Sequence, residues 1–453
     1  MNRINRRQLL KGALGVSAAG GFLGTLGRAA HAQALAESHT YYVFCYFGGG
    51  WDTLLGLDPR DPVQFGAQNM RSTRIHTGYE LLPGNRTRII TPFGTDFGPF
   101  IGNLQRYADR MAIVRGMSME TVSHGTGMRR FITGRQPNGE VARGSSGATW
   151  LASKWGRSQI VPNLALNIES YNVDQPTYAS ALRASGIGDL LQSVAPADRD
   201  LRAGQRGILD RFLASEANCE AAKRSDMLQT AETSRRSARE ISSGRLAAQF
   251  DFLAQNAEME ALRGQFRFSR DDDGLRSANA RVALAGQAIT NGVSRVVSMA
   301  VAGGLDTHNG TQWVNDQGPR QMSGFNAMAL LADYLDAREY RNTGTTWLDH
   351  TVIMAFSEFC RTPLLNGSSG RDHHITNACM LLGGGLKAGV YGRSSDVALR
   401  PQPMNLTTGE VDEVNGVIPK PEHIYQTLLY HAGFQRDDAN FGVGPIDAML
   451  RRS

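Results

Sequence analysis

Tyr41-Tyr42-Val43-Phe44-Cys45-Tyr46-Phe47, halted by Gly48-Gly49-Gly50-Trp51-Asp52, is the stretch whose reading decides the fold. Seven consecutive apolar or aromatic residues bounded by a glycine turn have the length and composition of a strand buried on both faces. Two later runs repeat the design. Val296 to Ala302 ends at Gly303-Gly304-Leu305-Asp306-Thr307-His308, and Thr351-Val352-Ile353-Met354-Ala355-Phe356 ends at Ser357-Glu358. Met111-Ala112-Ile113-Val114 is a further strand. Between the strands lie helical patterns over Phe100–Asp109 and Met322–Leu335, and Pro421-Glu422 opens a late helix running to about Ala432, with Gly433 as its stop. Buried strands alternating with helices predict an α/β chain with a mainly parallel central sheet and helices on both faces.

From about residue 188 to 268 strand signals vanish, and Ala, Arg, Glu, Gln and Leu dominate at helical spacing. This predicts a helical insertion, a lid or docking surface, within a single α/β domain covering 33–453. The 453 residues are 41% hydrophobic and 20% charged, which excludes a disordered chain or a disulfide-dense mini-scaffold. Of the net charge of +6, the first thirty-two residues supply +5 through Arg3, Arg6, Arg7, Lys11 and Arg28, so the rest carries only +1. A basic nucleic-acid-binding face is therefore not expected.

Those basic residues belong to an export signal. Asn5-Arg6-Arg7-Gln8-Leu9-Leu10-Lys11 is a twin-arginine sequence, Gly12 to Gly27 is a weakly apolar run, and Ala30-His31-Ala32 offers the small residues of a cleavage site. The run falls short of the roughly 20 residues that span a bilayer, and nothing later is long and apolar enough. The twin-arginine translocase is thus an expected partner, and the mature protein is expected in the periplasm or outside the cell. Cys45, Cys219, Cys360 and Cys379 match no zinc-ribbon spacing; buried free thiols are the first reading and a Cys360–Cys379 bridge the second.

Ligands of open parallel sheets bind beyond the carboxyl ends of the strands. There the sequence delivers Asp52, then Asp306 with His308, then Glu358, and the following loop adds Asp372-His373-His374. His124 lies in the turn Ser123-His124-Gly125-Thr126-Gly127 ahead of a helix. Carboxylates and imidazoles mixed in this way suit zinc, manganese or another divalent cation. Asp306 and His308, two apart, would point to one side of an extended backbone. His39, His76, His350, His423 and His431 have no such context, and Gly383-Gly384-Gly385, without a P-loop lysine, is a turn.

As a set, these motifs resemble the exported bacterial family called domain of unknown function 1501, related to the alkaline phosphatase and sulfatase superfamily. The likeness rests on the twin-arginine signal, Gly48-Gly49-Gly50-Trp51-Asp52, Ser123-His124 through Thr133-Gly134, Gly304-Leu305-Asp306-Thr307-His308, Ser357-Glu358-Phe359-Cys360-Arg361-Thr362 and Gly370-Arg371-Asp372-His373. It spans about residues 40–435. The resemblance implies one or two divalent ions, Zn first and Mn, Ca or Mg as alternatives, between strand ends, and transfer or hydrolysis of phosphate or sulfate esters. By it, Asp52, Asp306, His308, Glu358 and His373 (or His374) match metal ligands. His124 stands at the usual nucleophile position with Ser123 before it, which makes these two the candidate catalytic residues. Phe359 stands where a metal-binding histidine is usual.

The substitutions suggest that His124 fills the gap left by Phe359. One ion would then see Asp52, His124 and Glu358, and another Asp306, His308 and His373, with Asp372 beside them. Water activated by the metal would replace a serine nucleophile. Arg129, Arg130 and Arg361 are candidate clamps for an anion. The expected substrate is an anionic small molecule or polymer. The alternative is a non-catalytic exported protein whose metal-stabilised fold binds a partner or envelope polymer through its helical insertion.

Overall fold

The computed structural model describes residues 40–194, 203–217 and 249–451 apart from 85 and 436–440, with scattered positions between 220 and 235. The signal at 1–32 and Cys219 lie outside the described residues. The sheet has eight strands in the order β10-β2-β9-β6-β1-β5-β3-β4. They are β1 (Tyr41–Phe47), β2 (Met111–Ser118), β3 (Asn163–Leu166), β4 (Leu182–Ala184), β5 (Val296–Ala302), β6 (Thr351–Phe356), β9 (Thr376–Gly383) and β10 (Gly389–Tyr391); β7 (Cys360–Arg361) and β8 (His373–His374) form a separate two-residue ribbon.

β1 pairs in parallel with β5 and β6 and sits near the centre. Its residues split by parity. Tyr41, Val43, Cys45 and Phe47 join the core on one face, Tyr42 and Phe44 the core on the other. The first face is covered by helices Ala278–Thr290 and Gly318–Asp336, whose Val282, Leu284, Phe325 and Met328 are fully buried. The second face is covered by α1 (His124–Thr133), α2 (Gly147–Trp155) and the late helix Pro421–His431. Burial at about 25 cal/mol per Å² of apolar surface, on both faces of one sheet, is the main force holding this layout. The fold is thus α/β, mainly parallel and covered on both sides.

Three expectations change in detail. β9 is antiparallel to both β2 and β6 and lies between them, a strand that the sequence reading passed over. The Phe100–Asp109 helix is a 3-10 helix at Gly102–Arg110. Cys45, Cys360 and Cys379 are buried free thiols, so the Cys360–Cys379 bridge is not formed. Within 188–268 the described residues form helices Ile187–Val194, Ala203–Ala217 and Ala257–Phe266, and no strand. The end of that stretch is no appendage, because Phe250, Phe252, Met259, Leu262 and Phe266 belong to the sheet's own core. Among the described residues no helix is long and apolar enough to cross a membrane.

Candidate metal centre

The parallel strands bring three exits together, two of them glycine-rich (Gly48-Gly49-Gly50 and Gly303-Gly304) and the third Ser357-Glu358. Leu305 N–H donates to the Gly48 carbonyl (3.2 Å), tying the loop after β5 to the loop after β1. Gly49 makes the approach possible: its φ is +109°, and a Cβ there would lie 2.6 Å from Leu305 N and 2.7 Å from Asp306 N. At the end of β6, Glu358 is 1% exposed. Its Oε1 accepts from Gly49 N–H (2.8 Å) and faces His124 Nδ1 at 2.8 Å, and its Oε2 accepts from Ser357 Oγ (2.9 Å).

Asp306 Oδ1 is the centre of the arrangement. Around it stand Arg361 Nη2 at 2.6 Å, His308 Nε2 at 2.9 Å, His373 Nε2 at 3.1 Å and His124 Nε2 at 3.3 Å. On the far side of each ring, Nδ1 faces an acceptor. His124 faces Glu358; His308 faces Asp372 Oδ1 (2.8 Å); His373 faces the Val122 carbonyl (2.7 Å). In a neutral imidazole whose Nδ1–H is committed in this way, Nε2 carries a bare lone pair. Three Nε2 atoms therefore converge on one carboxylate oxygen, and each ring, when neutral, would offer that lone pair to a cation. His308 Nε2 and His373 Nε2 are 3.1 Å apart, and His124 Nε2 is a buried nitrogen without a hydrogen-bond partner.

Charge settles the groups around the rings. Burial resists ionisation of Asp306, but the hydrogen bonds from Arg361 and His373 outweigh it and hold its pKa far below the usual carboxylate range. Burial likewise opposes ionisation of Glu358, and its bonds to His124 and to backbone amides reverse the sign. Asp372 is lowered by His308 and then Asn366, while the Glu358 hydrogen bond raises His124.

His124, Asp306 and His373 lie close enough to share one ion, with donor atoms within 4.8 Å of one another, and His308 Nε2 stands beside them, 2.9 Å from Asp306 Oδ1 and 3.1 Å from His373 Nε2. Two carboxylates expected as ligands instead hold the rings. Glu358 and Asp372 are hydrogen-bonded behind His124 and His308, the arrangement by which an outer carboxylate fixes the tautomer of a metal-binding histidine. Asp52 is elsewhere. It is 1% exposed, caps the short helix Thr53–Leu55, and meets Trp313 Nε1 (2.9 Å) and Arg371 Nε (3.1 Å) through Oδ2. The sharing of one ion by Asp52, His124 and Glu358 is thus not what the fold builds, because both acids are already occupied by other donors.

β8 separates His373 from His374 by strand alternation. His374 turns inward beside Cys360, and burial pushes its pKa down to about 4. Phe359 fills the gap with its ring 4.8 Å from that of His124 and 4.4 Å from that of His373. Ser123 is exposed at the N-cap of α1, where its hydroxyl makes no capping bond. None of the three arginines is free for an anion: Arg129 is bidentate on Glu169 (3.0 and 3.1 Å), Arg130 is buried on Glu120 and Glu422, and Arg361 is buried on Asp306. Arg371, Trp313 and the Val122 carbonyl were not legible as site groups. Only Arg371 had a signal, its place directly before Asp372-His373.

Comparison with solved structures returns weak likenesses. Ps i-CgsB in complex with k-i-k-neocarrahexaose aligns with a TM-score of 0.38 at 10% identity, covering 90% of this chain and 75% of that one. Ps i-CgsB alone aligns with a TM-score of 0.38 at 11% identity, again covering 90% and 75%. A protein from work on the metabolism of multiple glycosaminoglycans by Bacteroides thetaiotaomicron gives 0.34 at 8% identity, covering 89% and 74%. None of the curated proteins matches the sequence. The family described as protein of unknown function, DUF1501, matches residues 39–410, and the chain belongs to that family.

Proposed function

We propose that this chain is an exported metal-dependent hydrolase of anionic esters, phosphate or sulfate, with its cation held by His124, Asp306, His308 and His373. One observation supports the reading: three imidazole Nε2 atoms lie within 3.3 Å of one carboxylate oxygen, each ring oriented from behind by an acceptor. Neutral rings held in this way would present their lone pairs to a cation beside the carboxylate, and this donor set suits zinc or a similar divalent ion. Such a cation supplies Lewis-acid stabilisation of an anionic ester and activation of water.

The chain's own groups bind and orient. Glu358, Asp372 and the Val122 carbonyl keep the rings in one tautomer. Arg361 keeps Asp306 ionised. Asp306, His308 and His124 are 46%, 44% and 38% exposed through their side chains, so the centre opens to solvent as a substrate site does and a sealed structural site does not. Arg6-Arg7 in the leader supports action outside the cytoplasm, with an anionic small molecule or polymer as substrate.

A second reading has its own support. An imidazole at position 124 and arginines already paired with acids suit a non-catalytic protein that keeps a metal-stabilised fold. Metal-loaded protein assayed against aryl phosphates, phosphodiesters and aryl sulfates separates the two. Turnover that vanishes in His373→Ala and on chelation supports hydrolysis. Stoichiometric metal with no turnover of any ester, whatever the divalent ion, removes the hydrolase and leaves the second reading.

A further inference from the structure

Asp52 ends the same kind of strand exit as Asp306, yet its carboxylate is spent on donors of its own. Oδ1 accepts from Leu54 N–H (3.1 Å), and Oδ2 accepts from Trp313 Nε1 and forms a buried ion pair with Arg371, 3.1 Å from its Nε, whose N–H is not aimed at it. Arg371 is itself fully buried. Its guanidinium lies over the Trp313 ring, 4.7 Å from the centroid, and donates to the carbonyls of Thr362 (2.6 Å), His76 (2.6 Å) and Thr77 (3.0 Å). Its backbone is held as well: Arg371 N–H donates to Thr307 O (3.2 Å) and its carbonyl accepts from Arg361 (3.2 Å). The next two residues are Asp372, which faces His308, and His373, which faces Asp306.

We infer that Asp52 is a positioning residue: through Arg371 it fixes the segment that aims Asp372 and His373, and the centre takes one cation rather than two. This inference rests on the metal reading above. A second ion would need Asp52 and Glu358 as ligands. Asp52 already faces the fixed charge of Arg371, and both oxygens of Glu358 are engaged by Gly49, His124 and Ser357. The sign of one substitution distinguishes positioning from direct ligation. If Arg371 merely competed with a cation for Asp52, neutralising it would strengthen metal binding. If it positions His373, neutralising it weakens binding.

Co²⁺ is the probe, titrated into the full mature chain stripped of metal, with near-ultraviolet circular dichroism to confirm folding of each variant. The wild type should bind one Co²⁺ with a defined ligand-field spectrum. Asp52→Asn, Trp313→Phe and Arg371→Gln should each still saturate at one Co²⁺ with the same band positions, and bind it about tenfold or more weakly, as loss of outer support does. His373→Ala should shift or abolish the bands. Trp313→Phe removes the indole N–H with part of the buried ring and keeps an aromatic ring and the Arg371 charge, so it carries the test if Arg371→Gln does not fold. Band shifts in Asp52→Asn like those of His373→Ala, a wild-type stoichiometry of two, or tighter binding by Arg371→Gln would each overturn the inference. So would unchanged affinity in both Asp52→Asn and Trp313→Phe. A wild type that binds no Co²⁺ instead overturns the metal reading itself.

Discussion

Asp306 carries the largest share of the candidate centre, since one guanidinium and three imidazoles meet its Oδ1. Asp306→Asn keeps the shape and removes the charge. It should abolish stoichiometric metal, and with it the stabilisation a bound ion adds by mass action, about 2.7 kcal/mol at a hundredfold excess over Kd. Thermal melts with and without chelator check this: the wild type should lose several degrees on chelation and Asp306→Asn nothing. His350→Ala is the control. His350 stacks on Tyr340 with ring centroids 3.8 Å apart, just before β6 and at the opposite end of the sheet, so its metal content should be normal. Full occupancy in Asp306→Asn would remove the centre as drawn.

The helix α1 presents His124 because it can lie against the end of β6. Gly127 is what allows it: a Cβ there would come within 2.6 Å of the Glu358 carbonyl. Gly127→Ala should push the helix outward, cost about 1–3 kcal/mol through overpacking, and loosen the His124–Glu358 bond, which metal titration would register as weaker binding. Gly125→Ala, whose Cβ would meet only Arg129 at 3.5 Å, should be neutral or slightly stabilising by helix propensity. If the two variants behaved alike, the packing account of α1 would fail. The late helix Pro421–His431 offers a pH test. His423 Nδ1 accepts from Lys420 N–H (3.2 Å), which requires a neutral ring, and burial lowers its pKa to about 4. The unfolded chain, with a histidine pKa near 6.5, binds the proton first, so stability is whole above about pH 6.5 and declines as pH falls toward 4. Denaturant unfolding between pH 7 and 4 should show that decline, and His423→Gln should reduce its slope.

For the chain as a whole, export is the first expectation to check. Replacing Arg6 and Arg7 by lysines keeps the charge and removes the paired guanidinium groups, so precursor should accumulate in the cytoplasm, read by fractionation and immunoblot. Normal export of the double-lysine chain would make the twin-arginine reading wrong. The three described cysteines should titrate as free thiols only after denaturation, since Cys45, Cys360 and Cys379 are all buried and burial raises the pKa of each.

Local pattern determined a good deal here. The largely apolar runs at Tyr41–Phe47, Val296–Ala302 and Thr351–Phe356 are strands of seven, seven and six residues, each the length of a buried strand and too short for a typical helix, between glycine or polar stops. That made the parallel sheet and the strand-end placement of Asp306, His308 and Glu358 readable, and residue chemistry alone marked His124 and His373. Tertiary structure decided what each group does. Whether an acid touches a metal or a ring depends on which donors reach it first, and those donors are distant in sequence: Arg371 and Trp313 for Asp52, His124 for Glu358, His308 for Asp372. β9 itself goes unread in the sequence, and its direction could not be read there in any case, since an eight-residue buried strand reads alike in either orientation and only its neighbours β2 and β6 fix its sense.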